Sequence, residues 1–403
     1  MSGLPQPTKT RIRSLILNGV DLTEFVNRLS VYETIKKPYH TAKLTIIDNN
    51  NLLENMGLVG EETCSFAFDG GEIGNPRLDP ITGEETSTFG LYENTLKVLS
   101  VHGNKSKQGL RSMQYDIHLI GQEFFSDKEN LVQREFKGIP GTAAISQIHS
   151  EYIGGGLNIH GSSTTIGKES YRVQSKHPFT GINEIRQRLV PEGNWVYFKN
   201  RDGHHLAPLS ALYAEAGNDE TFIQKATWGA NWFDVVEAQR AIIVAVADVD
   251  DQKPGSAASG ARASTKGQKQ SIFDLATKKM VKDGMKGGKL GGMPNMHMID
   301  SKNNDEASDP SAKTIGENLF RSQVQDTASM SVKVPIQSGI NVTVGRGCYL
   351  SLMAPIGDLT SPPDGGGESR LAGTYMIADL CHELFLDDRQ QNGTTTFQAY
   401  RVS

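Results

Sequence analysis

The sequence predicts a mainly β protein with α+β parts, and three observations carry that reading. Short runs of alternating apolar and polar residues recur near both ends of the 403-residue chain. Between them the apolar spacing changes to that of helices. Glycine is abundant, at 42 residues, as a protein with many tight turns between antiparallel strands needs.

The first sheet section runs from about Arg11 to Leu119. Ile12, Leu15 and Leu17 open it, and Asn18-Gly19 supplies a turn. From Thr41 to Ile47, Ala42, Leu44 and Ile46 alternate with Lys43 and Thr45, the period of a strand with one wet face. Cys64, Phe66 and Phe68 repeat the pattern. So do Leu96 and Val98 with Ser100, and then Met113, Tyr115, Ile117 and Leu119. Several such strands divided by turn residues predict a barrel or a sandwich. A polar excursion lies between Asp69 and Gly90.

The period then lengthens. Thr142 is a candidate cap for a helix with Ile145, Ile148 and Tyr152 on one face and Gly154 as its stop. Thr180 is a candidate cap for a second, carrying Ile182, Ile185 and Leu189, with Pro191 beyond. A hairpin follows, with Trp195 to Phe198, a turn over Asn200 to Gly203, and His204 to Leu209. Sheet resumes at Glu220 and includes the apolar run Ala241 to Ala247. After the interruption described next, it returns with Val332 and Val334, Asn341 to Val344, Cys348 to Met353, Thr374 to Cys381 and Thr394 to Tyr400. The domain division expected is 1–123 for the first sheet domain and 124–210 for a small α+β domain. Residues 211–249 with 311–403 make the second sheet domain, and 250–310 is a flexible basic, Gly-rich insertion.

Between Lys253 and Lys289 that insertion holds nine Lys or Arg and two acids, Asp274 and Asp283. One amphipathic fragment stands out within it, with Ile272, Phe273, Ala276 and Met280 on or near one side. As a solvated segment it needs no partner. As an arm ordering on a partner's acidic surface, its contacts would be Lys266, Lys269, Ile272, Phe273, Lys278, Lys279, Met280 and Lys282.

No catalytic, cofactor-binding or metal site is expected. His382-Glu383 begins like a zinc-protease helix, but Leu386 stands where the second histidine is needed. His204-His205 reads as a surface pair at a hairpin turn. His102, His118, His149, His160 and His177 lack ligand spacing. No Gly-x-Ser-x-Gly elbow and no phosphate loop occurs. Cys64, Cys348 and Cys381 are too few and too scattered for a disulfide scaffold, and Cys64 and Cys348 read as small buried hydrophobes, which suits a reducing compartment. The net charge of −5 argues against a sequence-independent grip on nucleic acid. No apolar run approaches membrane-spanning length, and Met1 to Lys9 lacks a signal-peptide core.

Three stretches together resemble the baseplate hub proteins of contractile-tailed bacteriophages. They are Leu17 to Leu22 with Lys43 to Asp48 and Gly60-Glu61-Glu62, then Phe179 to Leu189 with Trp195 to Phe198 and Asp202-Gly203, and finally Gly373 to Leu384 with the closing strand Thr394 to Arg401. The resemblance implies two tail-tube-like antiparallel β-barrels in one chain and assembly as a homotrimer. It also implies a six-fold tail tube protein on one side, a three-fold central spike protein on the other, and other baseplate components nearby. DNA would pass through the channel without specific binding. It further implies a place in the virion tail, assembled in the host cytoplasm. The insertion has no counterpart in the family. A secretion-type hub or another sheet-rich tail protein would share the barrels. A phage-associated cell-wall hydrolase is the reading from a different class, since carboxylate pairs meet only in space.

Overall fold

A computed structural model describes residues 11–48, 52–69, 77–78, 85–86, 91–105, 113–161, 164–165, 170–190, 195–216, 223–227, 242–246, 271–274, 279–282, 296–299, 329–353, 373–387 and 390–401.

The first section holds β1 (Arg11–Leu17), β2 (Val20–Asp21), β3 (Val26–Thr34), β4 (Thr41–Asp48), the short α1 (Leu52–Met56) and β5 (Thr63–Asp69). The small ladder of β6 (Arg77–Leu78) and β7 (Glu85–Thr86) precedes the long β8 (Leu91–Lys105) and β9 (Met113–Ile120). The β1–β2 hairpin turns on Asn18 at φ 49° and Gly19 at φ 81°, the left-handed pair a tight two-residue turn requires. On β4, Ala42, Leu44 and Ile46 are buried and Lys43 is not, but Thr45, expected on the wet face, is buried too and donates its hydroxyl to Asp116.

Residues from α2 (Gln122–Glu129) onward form the small α+β region. It contains β10 (Val132–Lys137), α3 (Gly141–Ile148) with a π-helical turn at His149–Ile153, β11 (Leu157–Ile159) and β12 (Thr164–Thr165). Then come β13 (Ser170–Lys176), α4 (Pro178–Arg186), β14 (Leu189–Val190), β15 (Trp195–Asn200), β16 (Gly203–Pro208) and α5 (Leu209–Ala216). Neither expected threonine cap is used. Pro140 precedes α3, while His177 precedes α4 with Pro178 at its first turn, where a missing N–H costs nothing. The proline and glycine geometry outweighs the capping preference.

The remaining strands are β17 (Ile223–Thr227), β18 (Ile242–Val246), β19 (Ser271–Asp274), β20 (Lys279–Lys282), β21 (Met296–Ile299), β22 (Ser329–Pro335), β23 (Gly347–Met353), β24 (Gly373–Asp387) and β25 (Gln390–Arg401). A single helical turn, α6 (Ile336–Gly339), follows β22. Asn341 to Val344 is loop and not the expected strand. Its two valines are buried as side chains of a turn that ends at Gly345, φ 81°.

The main sheet follows one hydrogen-bonded path, β18-β22-β25-β24-β3-β4-β9-β8-β5-β1-β2, with β17 and β23 attached beside β24. The two sheet sections are therefore joined, and among the described residues no ladder links the ends of the path. The reason lies in β24, 15 residues long. One edge pairs with β25 from Tyr375 to Asp387. On the other edge, Gly373 to Met376 pair with β23 and Asp379 to Phe385 pair with β3. A bulge at Ala378 marks the change of partner, and its carbonyl accepts the Ile35 N–H at 2.9 Å.

Three apolar cores result, and they do not follow chain order. One gathers β1, β3, β4, β5, β8 and β9 and is completed by Ile336, Ile340 and Leu384 from the far end of the chain. A second gathers Val344, Cys348, Met376, Phe397 and Ala399, and takes in Ile35 from the first section. The third lies among α3, α4 and β13. The β15–β16 hairpin is the wall between two of them: Trp195, Tyr197 and Leu206 face the third core, Val196, Phe198 and Ala207 the second. That is why this hairpin is apolar on both sides.

Candidate functional site

The residues that hold the sheet sections and the small region together converge beside the change of partner on β24. Glu33, 1% exposed on β3, accepts hydrogen bonds from the Tyr92 hydroxyl at 3.3 Å, the Thr343 hydroxyl at 2.7 Å and the Val344 N–H at 3.4 Å. Burial, and then the charge of Glu33, push the Tyr92 phenol far above its ordinary range, so it stays a neutral donor. Arg201, from the hairpin turn, donates to the carbonyls of Ile340 at 2.6 Å and Leu91 at 2.7 Å, and its guanidinium carbon lies 5.0 Å from the Tyr92 ring centre. One cluster thus ties β3, β8, the hairpin and the loop after α6. Beside it, Arg201, Asp202, Thr343 and Arg346 line an open groove of about 510 Å³.

The outer face of the same strands is wet and self-neutralised. Arg28 on β3 pairs with Glu383 on β24, and Lys43 on β4 reaches Asp116 on β9 at 3.1 Å. Burial pushes the Asp116 carboxyl upward, but hydrogen bonds from Thr45 and Lys43 together hold it below the usual carboxylate range.

The histidines fall out differently from the sequence reading. His204 and His205 are not a surface pair; each is 6% exposed, because β16 is covered on both sides. His204 Nε2 lies 3.2 Å from the Pro38 carbonyl oxygen and its ring packs on His149, beside the Lys199–Glu123 ion pair at 2.5 Å. His205 lies in a chain of hydrogen bonds with His160 and Asn200. His382 sits well inside β24, not at its end. It is fully buried, bonded to Thr395 at 2.9 Å, and burial pushes its ring down to about 3. Among the described residues no group of three His, Cys, Asp or Glu could hold a metal ion. Cys64 and Cys348 are buried thiols, each pushed up to about 12 by burial.

Of the expected partner contacts, Lys266, Lys269 and Lys278 lie outside the described residues. Ile272 and Phe273 belong to β19, while Lys279, Met280 and Lys282 belong to β20. Cross-strand pairs join Ile272 to Val281 and Phe273 to Met280, and β21 pairs parallel to β19. The expected amphipathic fragment is therefore a hairpin within a three-stranded sheet.

No family model and no curated protein matches the sequence. Solved structures do. A tail protein from Neisseria meningitidis MC58 matches with a TM-score of 0.53 at 9% identity, covering 98% of this chain and 96% of that one. This chain has a tail-protein fold. Lower scores come from a 43 kDa tail protein of prophage MuSo2 of Shewanella oneidensis, at 0.49 with 12% identity over 98% and 97% of the two chains, and from an E. coli type VI secretion component, at 0.43 with 8% identity over 98% and 77%. Only the first score is high enough to assign the fold. The likeness to tail hubs read from the sequence thus holds at the level of architecture, mainly β with α+β parts.

Proposed function

We propose that this chain is a structural hub of a tail baseplate. Three copies would form a ring that joins a six-fold tail tube to a three-fold spike, together with other baseplate components, in the virion tail. The observation that carries the reading is the tail-protein fold over 98% of the chain, with two sheet sections made continuous through β3 and β24. Two sheet sections per chain supply six units from three chains, and closed rings of this kind use head-to-tail contacts between unlike surfaces. The activity is structural: no catalytic, metal or cofactor role is assigned. Mass measurement in solution should give a trimer, alone or with tube and spike proteins added. A monomer under all of those conditions removes the hub. In the same samples, residues 250–310, with Lys266, Lys269, Ile272, Phe273, Lys278, Lys279, Met280 and Lys282, are proposed to dock on an acidic partner surface. Proteolysis there should be rapid in the free chain and blocked in the assembly.

The outer face of β24, β3, β4 and β9 is the proposed channel wall. Its cations Arg28 and Lys43 are each met by a carboxylate, so passing phosphates find little to hold them. Unpairing both with Asp116→Asn and Glu383→Gln is expected to raise DNA affinity about tenfold at low salt, with the gain lost as salt rises. Equal DNA affinity of the variant and the natural chain would remove this face from the channel.

A further inference from the structure

The two sheet sections repeat one arrangement, down to single hydrogen bonds. Along the main sheet, β3-β4-β9-β8-β5 in the first section and β18-β22-β25-β24-β23 in the second follow the same antiparallel order. The long strands β8 and β24 match most closely. In each, a bulge interrupts the pairing with the following strand, at Leu99 against β9 and at Ala378 against β25. Just before it, Val98 exchanges bonds with the Glu61 N–H at 2.8 Å and the Glu62 carbonyl at 2.9 Å. Ile377 does the same with the Gly345 N–H at 2.8 Å and the Arg346 carbonyl at 2.9 Å. Glu61 at φ 69° and Gly345 at φ 81° are both left-handed. Lys97 then faces Thr63 and Leu96 faces Cys64, as Met376 faces Gly347 and Tyr375 faces Cys348. The correspondence stops at the next strand, since β1 is antiparallel to β5 and β17 parallel to β23.

Past the bulge the two long strands differ. From Asp379 to Phe385, β24 holds β3 on the edge away from β25, and the Ala378 carbonyl accepts the Ile35 N–H. The same edge of β8, from Leu99 to Lys105, has no strand beside it among the described residues, and Leu99 is 46% exposed. An edge of unpaired N–H and C=O groups is a ready template for another strand. The strand that corresponds to β3 is β18. It is paired with β22 on one edge and, among the described residues, with nothing on the other.

We propose that the open edge of β8 takes β18 of a second copy of this chain, repeating between chains the β24–β3 joint found within one. This rests on the ring proposed above and names the edges that close it. The inner joint fixes the register. There, His382 faces Val31 and Glu383 faces Ser30. Counted from the two bulges, Gly103 stands for His382 and Asn104 for Glu383. Counted through Ala42 and Met330, which face the equivalent Leu119 and Ala399, Val246 stands for Val31 and Ala245 for Ser30. Gly103 therefore faces the partner's Val246, and Asn104 the partner's Ala245. The two edges are unlike, so the contacts run head to tail and close when the third copy meets the first.

The test is a disulfide between Asn104→Cys and Ala245→Cys. Residues opposed in an antiparallel pair lie about 4.5–5.5 Å apart at Cα, within disulfide reach. The sample is the trimer, alone or with tube and spike proteins added. Under mild oxidation the double variant is expected to shift on a denaturing gel from the mass of one chain to that of three, and to return with reductant. Each single variant should stay at one chain. Co-expressed singles should give a linked pair containing both, which places the bond between chains. Ser100→Cys with Ala245→Cys, out of register, should not link. In the natural trimer every amide from Ser100 to Lys105 is expected to be protected from exchange, not only the alternate ones directed at β9. A trimer without the link, equal linking of the displaced pair, or free exchange at alternate amides overturns the edge assignment and leaves the hub standing. Monomers under all of these conditions overturn both.

Discussion

Replacing Glu33 by alanine is expected to lower the apparent unfolding free energy by about 3 kcal/mol, read as a fall in the urea midpoint. The side chain is 1% exposed and accepts from the Tyr92 hydroxyl, the Thr343 hydroxyl and the Val344 N–H. Its removal strands three buried donors, and each unmet donor costs about 1–3 kcal/mol. Water entering the new space recovers part of that, so the total stays near the lower bound. Glu33→Gln keeps an acceptor oxygen and should cost about 1 kcal/mol. An unchanged midpoint in the alanine variant would mean that this cluster does not hold the sheet sections together.

The second large effect concerns Gly347, where β23 meets α5. A Cβ added there would lie 2.1 Å from the Ala216 carbonyl oxygen and 2.4 Å from its Cα. Both are backbone atoms at a helix end packed into a core, and neither can rotate away. Gly347→Ala is therefore expected to cost about 3 kcal/mol, the upper end of overpacking losses, and to raise exchange at the α5 amides. Gly19→Ala is the contrasting case: nothing lies within 4 Å, and only the positive φ of 81° opposes it, at about 1–2 kcal/mol. Equal losses at the two positions would mean that α5 yields easily, against the packing seen.

Much of the sheet was legible because its information is local. Asn18-Gly19 demands a left-handed pair wherever it stands, and the Ala42, Leu44, Ile46 alternation needs only a period of two. The hairpin at Trp195 was likewise readable from its turn. Helix starts were less so, since Pro140 and Pro178 compete with Thr142 and Thr180 for the same boundary. Asn341 to Val344 misled because buried valines occur in strands and in buried turns alike. α2 had no clean apolar stripe to announce it, while α5 has one in Leu209, Leu212 and Ala216, which the sequence reading passed over because it starts directly where the hairpin strand ends.

The site was not legible. Glu33 and Thr343 are 310 positions apart, and neither looks unusual where it stands. His205 looked exposed because it follows a polar turn, yet β16 is covered on both sides.

By itself, the sequence determined the strand periods, the hairpin turns, the absence of familiar catalytic motifs and a likeness to tail hubs, because each depends on neighbours within a few residues. Tertiary structure alone decided that β24 serves two partners, that late-chain residues fill the first core, and that Glu33, Arg201 and His160 find their partners. Those outcomes depend on which distant strands share an edge, and pairing across hundreds of residues leaves no periodic mark along the chain.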